Sequence, residues 1–136
     1  MKILCIDYGK ARIGCAVSDP LGMLATPVGT IHEKHFPTQL KKLEEVARDQ
    51  SAELLLFGLP KNMDGSEGES AELVREFAGK IQENTGIQVE FIDERLSTVS
   101  AHKMLNEADM SGSRRRRQVI DTLSAVILLQ AYLDKK

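Results

Sequence analysis

The chain begins with an almost unbroken apolar run, Ile3 to Ile6, that ends in an acid, Asp7. A strand without alternating polar residues has to be covered on both faces, as the central strands of α/β proteins are. A second run of this kind, Glu53 to Phe57, is stopped by Gly58-Leu59-Pro60. Two such runs in 136 residues predict an α/β fold whose sheet carries helices on both faces.

The segments after the first strand predict an antiparallel meander. Ile13 to Val17 and Met23 to Ile31 are extended segments that follow one another across short turns. Pro27 has no N–H to donate to a neighbouring strand, so the third strand is expected at an edge of the sheet.

Apolar residues at helical spacing then predict helices. The first covers about residues 37–49. The second follows Ser66 to Glu69, which have the spacing of a capping box, and it ends at Gly86. Ser97 can cap a third helix, and a last one runs from about Val119 to Leu133.

The order of the elements is therefore βββ-α-β-α-β-α-α, with the fifth strand at Ile87 to Phe91. Strands joined through helices should be parallel, with right-handed crossovers. The prediction is a mixed five-stranded sheet with the order 3-2-1-4-5, in which three antiparallel strands precede the parallel ones. No repeat or linker interrupts the chain, so residues 1–136 are expected to form one domain.

Composition and charge narrow the class of protein. The net charge is −2, although Arg114 to Arg117 place four cations in a row. Cys5 and Cys15 lie in apolar segments and are expected to be buried, reduced thiols, which fits a reducing compartment. No run approaches the roughly 18 apolar residues of a membrane span. We therefore expect a cytoplasmic protein without a membrane partner.

Three acids are predicted to meet at one edge of the sheet. In open α/β sheets the functional crevice lies beyond the carboxyl ends of the parallel strands. Asp7 closes the first strand, and Asp93-Glu94 follows the fifth. Asp121 falls in the predicted first turn of the last helix, where Ser124 and Ala125 leave space beside it. Taken singly, each acid has an ordinary alternative as a turn, cap or helix-terminus residue.

Clustered carboxylates repel one another unless a cation joins them. Oxygen ligands without His or Cys favour Mg²⁺ or Mn²⁺ over zinc. A pair of such ions can activate water and stabilise the leaving oxygen in phosphodiester hydrolysis. The acids therefore predict a hydrolase of the two-metal-ion type.

Four motifs, in order along nearly the whole chain, resemble those of the YqgF/RuvX family, relatives of the RuvC resolvase with an RNase H-like fold. The segments that carry the resemblance are Ile6-Asp7-Tyr8-Gly9 with Arg12-Ile13-Gly14 and Ala16-Val17-Ser18, Gly58-Leu59-Pro60 with Asn62-Met63-Asp64-Gly65, Asp93-Glu94-Arg95-Leu96-Ser97-Thr98, and Asp121 with Ser124-Ala125.

The resemblance implies a nuclease that was first named a Holliday junction resolvase and was later assigned to maturation of the 5′ end of pre-16S ribosomal RNA. It implies that Asp7, Glu94 and Asp121 are the catalytic and metal-binding acids. This chain departs from RuvC-like resolvases, which carry an acid at the end of the fourth strand. Gly58-Leu59-Pro60 stands there instead, so Glu94 has to substitute from the next strand.

A glycine and several cations near the same edge are the predicted substrate-binding residues: Gly9, Lys10, Arg12, Lys61, Arg95, Arg114, Arg115, Arg116 and Arg117. A plain turn glycine is an equal alternative for Gly9, and a salt bridge with Asp93 is an equal alternative for Arg95. The arginine run is expected to precede the last helix and to contact RNA phosphates, a binding that weakens steeply with salt.

The favoured function is therefore a nuclease of ribosome biogenesis that acts on precursor rRNA, with the assembling small ribosomal subunit as a further partner. A Holliday junction endonuclease on branched DNA is the enzymatic alternative, and it needs a dimer to cut symmetrically. A non-catalytic RNA-binding assembly factor is another. An ATPase of the actin and sugar-kinase type is disfavoured, because that class normally needs two such domains. Both a monomer and a homodimer remain open.

Overall fold

A computed structural model describes the backbone of residues 1–95 and 113–135, and the side chains of 1–95 and 122–135. The elements in chain order are β1 (Ile3–Tyr8), β2 (Arg12–Ser18), β3 (Ala25–His32), α1 (Phe36–Asp49), β4 (Leu54–Leu59), α2 (Glu69–Thr85), β5 (Gln88–Asp93) and α3 (Ser113–Asp134). The helix predicted after Ser97 lies outside the described residues.

The five strands form one sheet in the order β3-β2-β1-β4-β5. β1 is antiparallel to β2 and parallel to β4, β2 is antiparallel to β3, and β4 is parallel to β5. The predicted mixed sheet and its order are confirmed. Pro27 lies on the edge strand β3, where the pairing with β2 shifts register between Cys15 and Ala16.

Each face of the sheet carries its own hydrophobic core. On one face, Ile6 and its neighbours form a cluster with α1 and α2 that includes the fully buried Phe77. On the other face, Cys5 belongs to a cluster with α3 that includes the fully buried Leu128. Successive residues of β1 thus point into opposite layers, as expected for a central strand. The helices cover both faces, as the two apolar runs predict.

Two helix starts differ from the prediction. The N-cap of α2 is Gly68, and Ser66 instead belongs to the preceding loop, where its amide donates to Oδ1 of Asp64 at 2.9 Å. The predicted capping box is therefore wrong. α3 begins at Ser113, so the arginine run is part of this helix and does not precede it. Arginine is a good helix former, which lets the helix extend through the run.

The helices of the described part lack the combination of length and hydropathy that a bilayer-spanning segment needs.

The predicted end of α2 is confirmed, because Gly86 adopts the left-handed conformation there with φ of 74°.

Candidate functional site

Asp7 lies near the end of β1 and is 8% exposed. Cys5 belongs to the core cluster beneath α3, so Asp7, two residues further on, points to the same face. It pairs directly with Gly14 of β2. On the other side, the pairing of Ile6 with Phe57 puts Asp7 level with Gly58 of β4. Asp7 is thus flanked on both neighbouring strands by residues without side chains, which leaves room for other groups to approach its carboxylate.

The side chain of Glu94 lies over Gly58. A Cβ atom built on Gly58 would be 3.6 Å from Cγ of Glu94 and 2.7 Å from Cδ1 of Leu128. The amide of Glu94 donates to the carbonyl oxygen of Leu59 at 3.0 Å, which fixes the backbone just beyond β5. Because the glycine at the end of β4 has no side chain, an acid from the next strand can occupy the space over it. Glu94 and Asp7 reach the same face of the sheet on either side of Gly58.

The charges of both carboxylates affect the pKa of the buried thiol of Cys5. Burial raises its pKa well above the ordinary value, and the negative charges of Asp7 and Glu94 raise it further. Burial and the charge of Asp7 also raise the pKa of Cys15 to about 12. Both thiols are free and buried, as predicted, and their raised pKa values keep them protonated at neutral pH. They therefore serve as packing groups beneath the acids.

The backbone of α3 brings position 121 towards the same edge. The hydroxyl oxygens of Thr122 and Thr30 are 2.7 Å apart. Thr30 pairs with Gly14, which pairs with Asp7, so this part of α3 crosses the sheet at the level of Asp7. Asp121 itself lies well inside α3 and not in its first turn as predicted, so a helix N-terminus does not account for an acid there. Its side chain lies outside the described residues.

The described donors suit a magnesium-type ion. Among the side chains that the structure describes, no group of three or more His, Cys, Asp or Glu could hold a metal ion, and Asp121 is not among those side chains. Asp7 and Glu94 are both carboxylates, and the neighbouring thiols are protonated. Oxygen-only ligands fit Mg²⁺ or Mn²⁺ better than zinc.

Arg95 fastens the loop after β4 to the end of β5. Its Nη2 donates to Oδ2 of Asp93 at 2.6 Å, and its Nε donates to both carboxylate oxygens. Its Nη1 donates to the carbonyl oxygens of Asn62 and Met63 at 3.3 and 3.4 Å. Hydrogen bonds from Arg95 are the main reason that the pKa of Asp93 lies below its ordinary value. The salt-bridge alternative is thus observed, and a phosphate contact of Arg95 stays a prediction.

The other predicted substrate-binding residues lie near this edge or beyond the described side chains. Gly9 is in the turn after β1, where a built Cβ would be 2.6 Å from the carbonyl oxygen of Arg12, so the turn itself needs a glycine. Lys10 is exposed in the same turn. Lys61 contributes to lowering the pKa of Asp93 and therefore lies near it. The side chains of Arg114, Arg115, Arg116 and Arg117 lie outside the described residues.

Gln39 of α1 organises the turn beside the acids and is not among the residues predicted from the sequence. Its side chain is 1% exposed, and Nε2 donates to the carbonyl oxygens of Glu33 at 2.7 Å and Lys10 at 3.0 Å. Its Oε1 accepts a hydrogen bond of 2.9 Å from the hydroxyl of Tyr8. The sequence signal that could have pointed to it is its spacing, since Gln39 precedes Leu43 by four residues and therefore falls on the apolar face of the predicted helix.

Gln39→Leu should lower the free energy of unfolding by about 1–3 kcal/mol, because the buried carbonyl groups and the Tyr8 hydroxyl lose their partner. Urea denaturation measures the change. Gln82→Leu, at an exposed position of α2, is the matched control and should change it by less than about 0.5 kcal/mol. Equal losses in the two variants would contradict the role of Gln39.

Known proteins resemble this chain over its full length. A family model described as RuvX, Holliday junction resolvase, matches residues 1–135. A protein of Moorella thermoacetica named "Putative pre-16S rRNA nuclease" is 48% identical over 135 residues, which cover 99% of this chain and 96% of the relative. A protein of the same name from Clostridium botulinum (strain Eklund 17B / Type B) is 42% identical over 135 residues, with 99% and 98% covered.

Two solved structures share the fold. RuvC of T. thermophilus in complex with a Holliday junction substrate aligns with a TM-score of 0.65 and 12% identity, covering 99% of this chain and 95% of that one. The Fowlpox virus resolvase in complex with Holliday junction DNA aligns with a TM-score of 0.63 and 9% identity, covering 99% and 98%. At these identities the likeness bears on the fold, and it confirms the predicted RNase H-like architecture.

Proposed function

Because this chain belongs to the RuvX family, whose model spans residues 1–135, we propose that it is a metal-dependent nuclease that matures the 5′ end of pre-16S ribosomal RNA. The observation that carries the proposal is the approach of Asp7 and Glu94 to one face of the sheet, on either side of Gly58. The names of the relatives at 48% and 42% identity support the RNA substrate.

In the proposed mechanism, Asp7, Glu94 and Asp121 would hold two Mg²⁺ or Mn²⁺ ions. When bound, such ions supply an activated water and stabilise the leaving oxygen of the phosphodiester. Asp7 provides a carboxylate on a rigid central strand, and the hydrogen bond from the amide of Glu94 to the carbonyl oxygen of Leu59 fixes the backbone of Glu94. Acids alone would repel a phosphate, so Lys10 and Lys61 at the same edge would favour its approach.

The proposal extends to the surroundings in which the enzyme works. A precursor of 16S rRNA places the protein in the cytoplasm, with the assembling small ribosomal subunit as a partner. The two free, buried cysteines suit that reducing compartment.

A Holliday junction endonuclease is the second candidate, and the description of the family model favours it. This candidate predicts cuts in branched DNA and a dimer that acts on two strands. We favour RNA because the relatives at 48% and 42% identity, which align over 96% and 98% of their own length, carry the rRNA nuclease name. An assembly factor that binds RNA without cutting it is the third reading.

Metal removal and substrate choice test the proposal together. The purified protein is incubated with end-labelled pre-16S RNA fragments and with a four-way DNA junction, in Mg²⁺, Mn²⁺ or EDTA. We expect cuts in the RNA with either metal, none in EDTA, and recovery when excess Mg²⁺ is added back. Cuts in the junction alone would favour the resolvase. RNA binding without cutting under any condition would overturn the nuclease assignment and favour the assembly factor.

A further inference from the structure

Within the part of the chain that the structure describes, an open cleft of about 190 Å³ lies next to Glu94, at the carboxyl ends of β1 and β4. The turn at Gly9 and Lys10 lines this cleft, and so do Leu73 and Val74 of α2. A crevice of this kind opens where the connections after two adjacent parallel strands run in different directions. It is the usual ligand position in open α/β sheets. Apart from Glu94, the residues that line this cleft are not the acids of the candidate site.

The cleft and Asp7 lie on the two sides of the same sheet edge, and Glu94 borders both. Asp7 points to the face covered by α3, whereas the next residue, Tyr8, packs with the cluster of α1 and α2 and lines the cleft. Glu94 lies over Gly58 on the α3 face and also lines the cleft. A nucleic-acid strand that crosses this edge with its scissile phosphate at the acids would therefore place an adjoining nucleotide in the cleft.

The walls of the cleft suit a base that is attached to a phosphate. The ring of Tyr8 lies 4.5 Å from the ring of Phe77, and its hydroxyl is bonded to Gln39, so the tyrosine is fixed. Leu73 and Pro60 add apolar surface, and the exposed Lys10 adds a cation at the rim. Single-stranded nucleic acids are commonly bound by aromatic and apolar surface for the bases and by positive charge for the backbone.

The small volume of the cleft favours a small group. Pockets for drug-sized ligands measure about 300–1,000 Å³, and the cleft of about 190 Å³ is smaller than these, which suits a single base better than a larger ligand. We propose that the cleft binds the nucleotide next to the scissile phosphate in an unpaired state. The substrate then has to be a single strand, or to carry an unpaired position at the cut, which a continuous duplex does not offer. This inference rests on the proposed nuclease function.

The test fills the mouth of the cleft from a position outside the acids. Ser70 is exposed in the first turn of α2 and lines the cleft, so Ser70→Phe should block it without disturbing the core. Gln82→Phe, at an exposed position of the same helix, is the matched control. The wild-type cut in a single-stranded RNA is mapped first. Complementary strands then pair either every nucleotide or all but the nucleotide on one side of the cut.

We expect complete pairing to slow cutting at least about tenfold, and one unpaired nucleotide beside the cut to restore it. Ser70→Phe should slow cutting of the single strand about tenfold, and Gln82→Phe should not. Equal rates on the single strand and on the complete duplex would overturn the proposal. Wild-type rates in Ser70→Phe would overturn it as well.

A binding measurement keeps the cleft separate from the nuclease assignment. Fluorescence anisotropy with labelled single-stranded RNA in EDTA needs no turnover. We expect Ser70→Phe to bind about tenfold more weakly than Gln82→Phe, since the contacts of one base are lost. If the wild type cuts no nucleic acid, the nuclease proposal fails, and this difference still supports the cleft as a base site. Equal binding by the two variants would overturn the cleft.

Discussion

Asp7→Asn is expected to reduce the rate of RNA cutting at least about 100-fold, because metal ions contribute several kcal/mol to the stabilisation of the transition state. Asn keeps the size of the side chain and removes the negative charge that an ion needs. Single-turnover cutting of end-labelled pre-16S RNA in Mg²⁺ measures the loss. Thermal unfolding should show a fold as stable as the wild type to within about 1 kcal/mol, since one carboxylate oxygen is replaced by an NH₂ group of similar size.

Asp49→Asn provides the matched control for Asp7→Asn. Asp49 is exposed at the last position of α1, far along the chain from the strand ends that carry the acids. This variant should cut at the wild-type rate. Equal product from wild type and Asp7→Asn would point to a contaminating nuclease and would remove Asp7 from the catalytic site.

The order of the strands could be predicted because each step rests on a local property. An apolar run without alternation requires cover on both faces, and Pro27 requires an edge. The start of α2 could not be predicted in this way, since a serine can either cap a helix or form hydrogen bonds within a loop, and Ser66 forms one with Asp64. Helical spacing places Gln39 on the apolar face of α1, but a single sequence does not identify its partners, which are the backbone carbonyl groups of Glu33 and Lys10 and the hydroxyl of Tyr8.

For the candidate site, the sequence predicts which strand ends carry the acids, but not how their side chains are arranged. Asp7 and Glu94 follow buried strands, and parallel strands present such ends at one edge. The way in which Glu94 occupies the space over Gly58 depends on the register of β4 with β5 and on the position of Leu128. Neither can be read from a single sequence, and together they explain why this chain can have a glycine at the end of β4.

A comparison of Gly58→Val with Gly58→Ala is expected to distinguish the effect of crowding Leu128 from the effect of displacing Glu94. A Cβ atom meets Cδ1 of Leu128 at 2.7 Å, the flexible end of a side chain, but it makes an ordinary contact of 3.6 Å with Cγ of Glu94. Alanine should therefore cost about 1 kcal/mol of unfolding free energy and leave cutting within about threefold of wild type. The branched methyl groups of valine have no such room.

Valine at position 58 should displace the carboxylate of Glu94 and slow RNA cutting at least about 30-fold, whereas the unfolding free energy falls by only about 1–3 kcal/mol. Urea denaturation and single-turnover cutting at a temperature where all variants are folded measure the two quantities. Gly79→Val is the control, because a Cβ atom at Gly79 in α2 meets nothing within 4 Å. The cutting rates of Gly58→Ala and Gly58→Val could instead fall only in proportion to their losses of unfolding free energy. Gly58 would then matter for packing alone, and cutting would not require Glu94 to lie over β4.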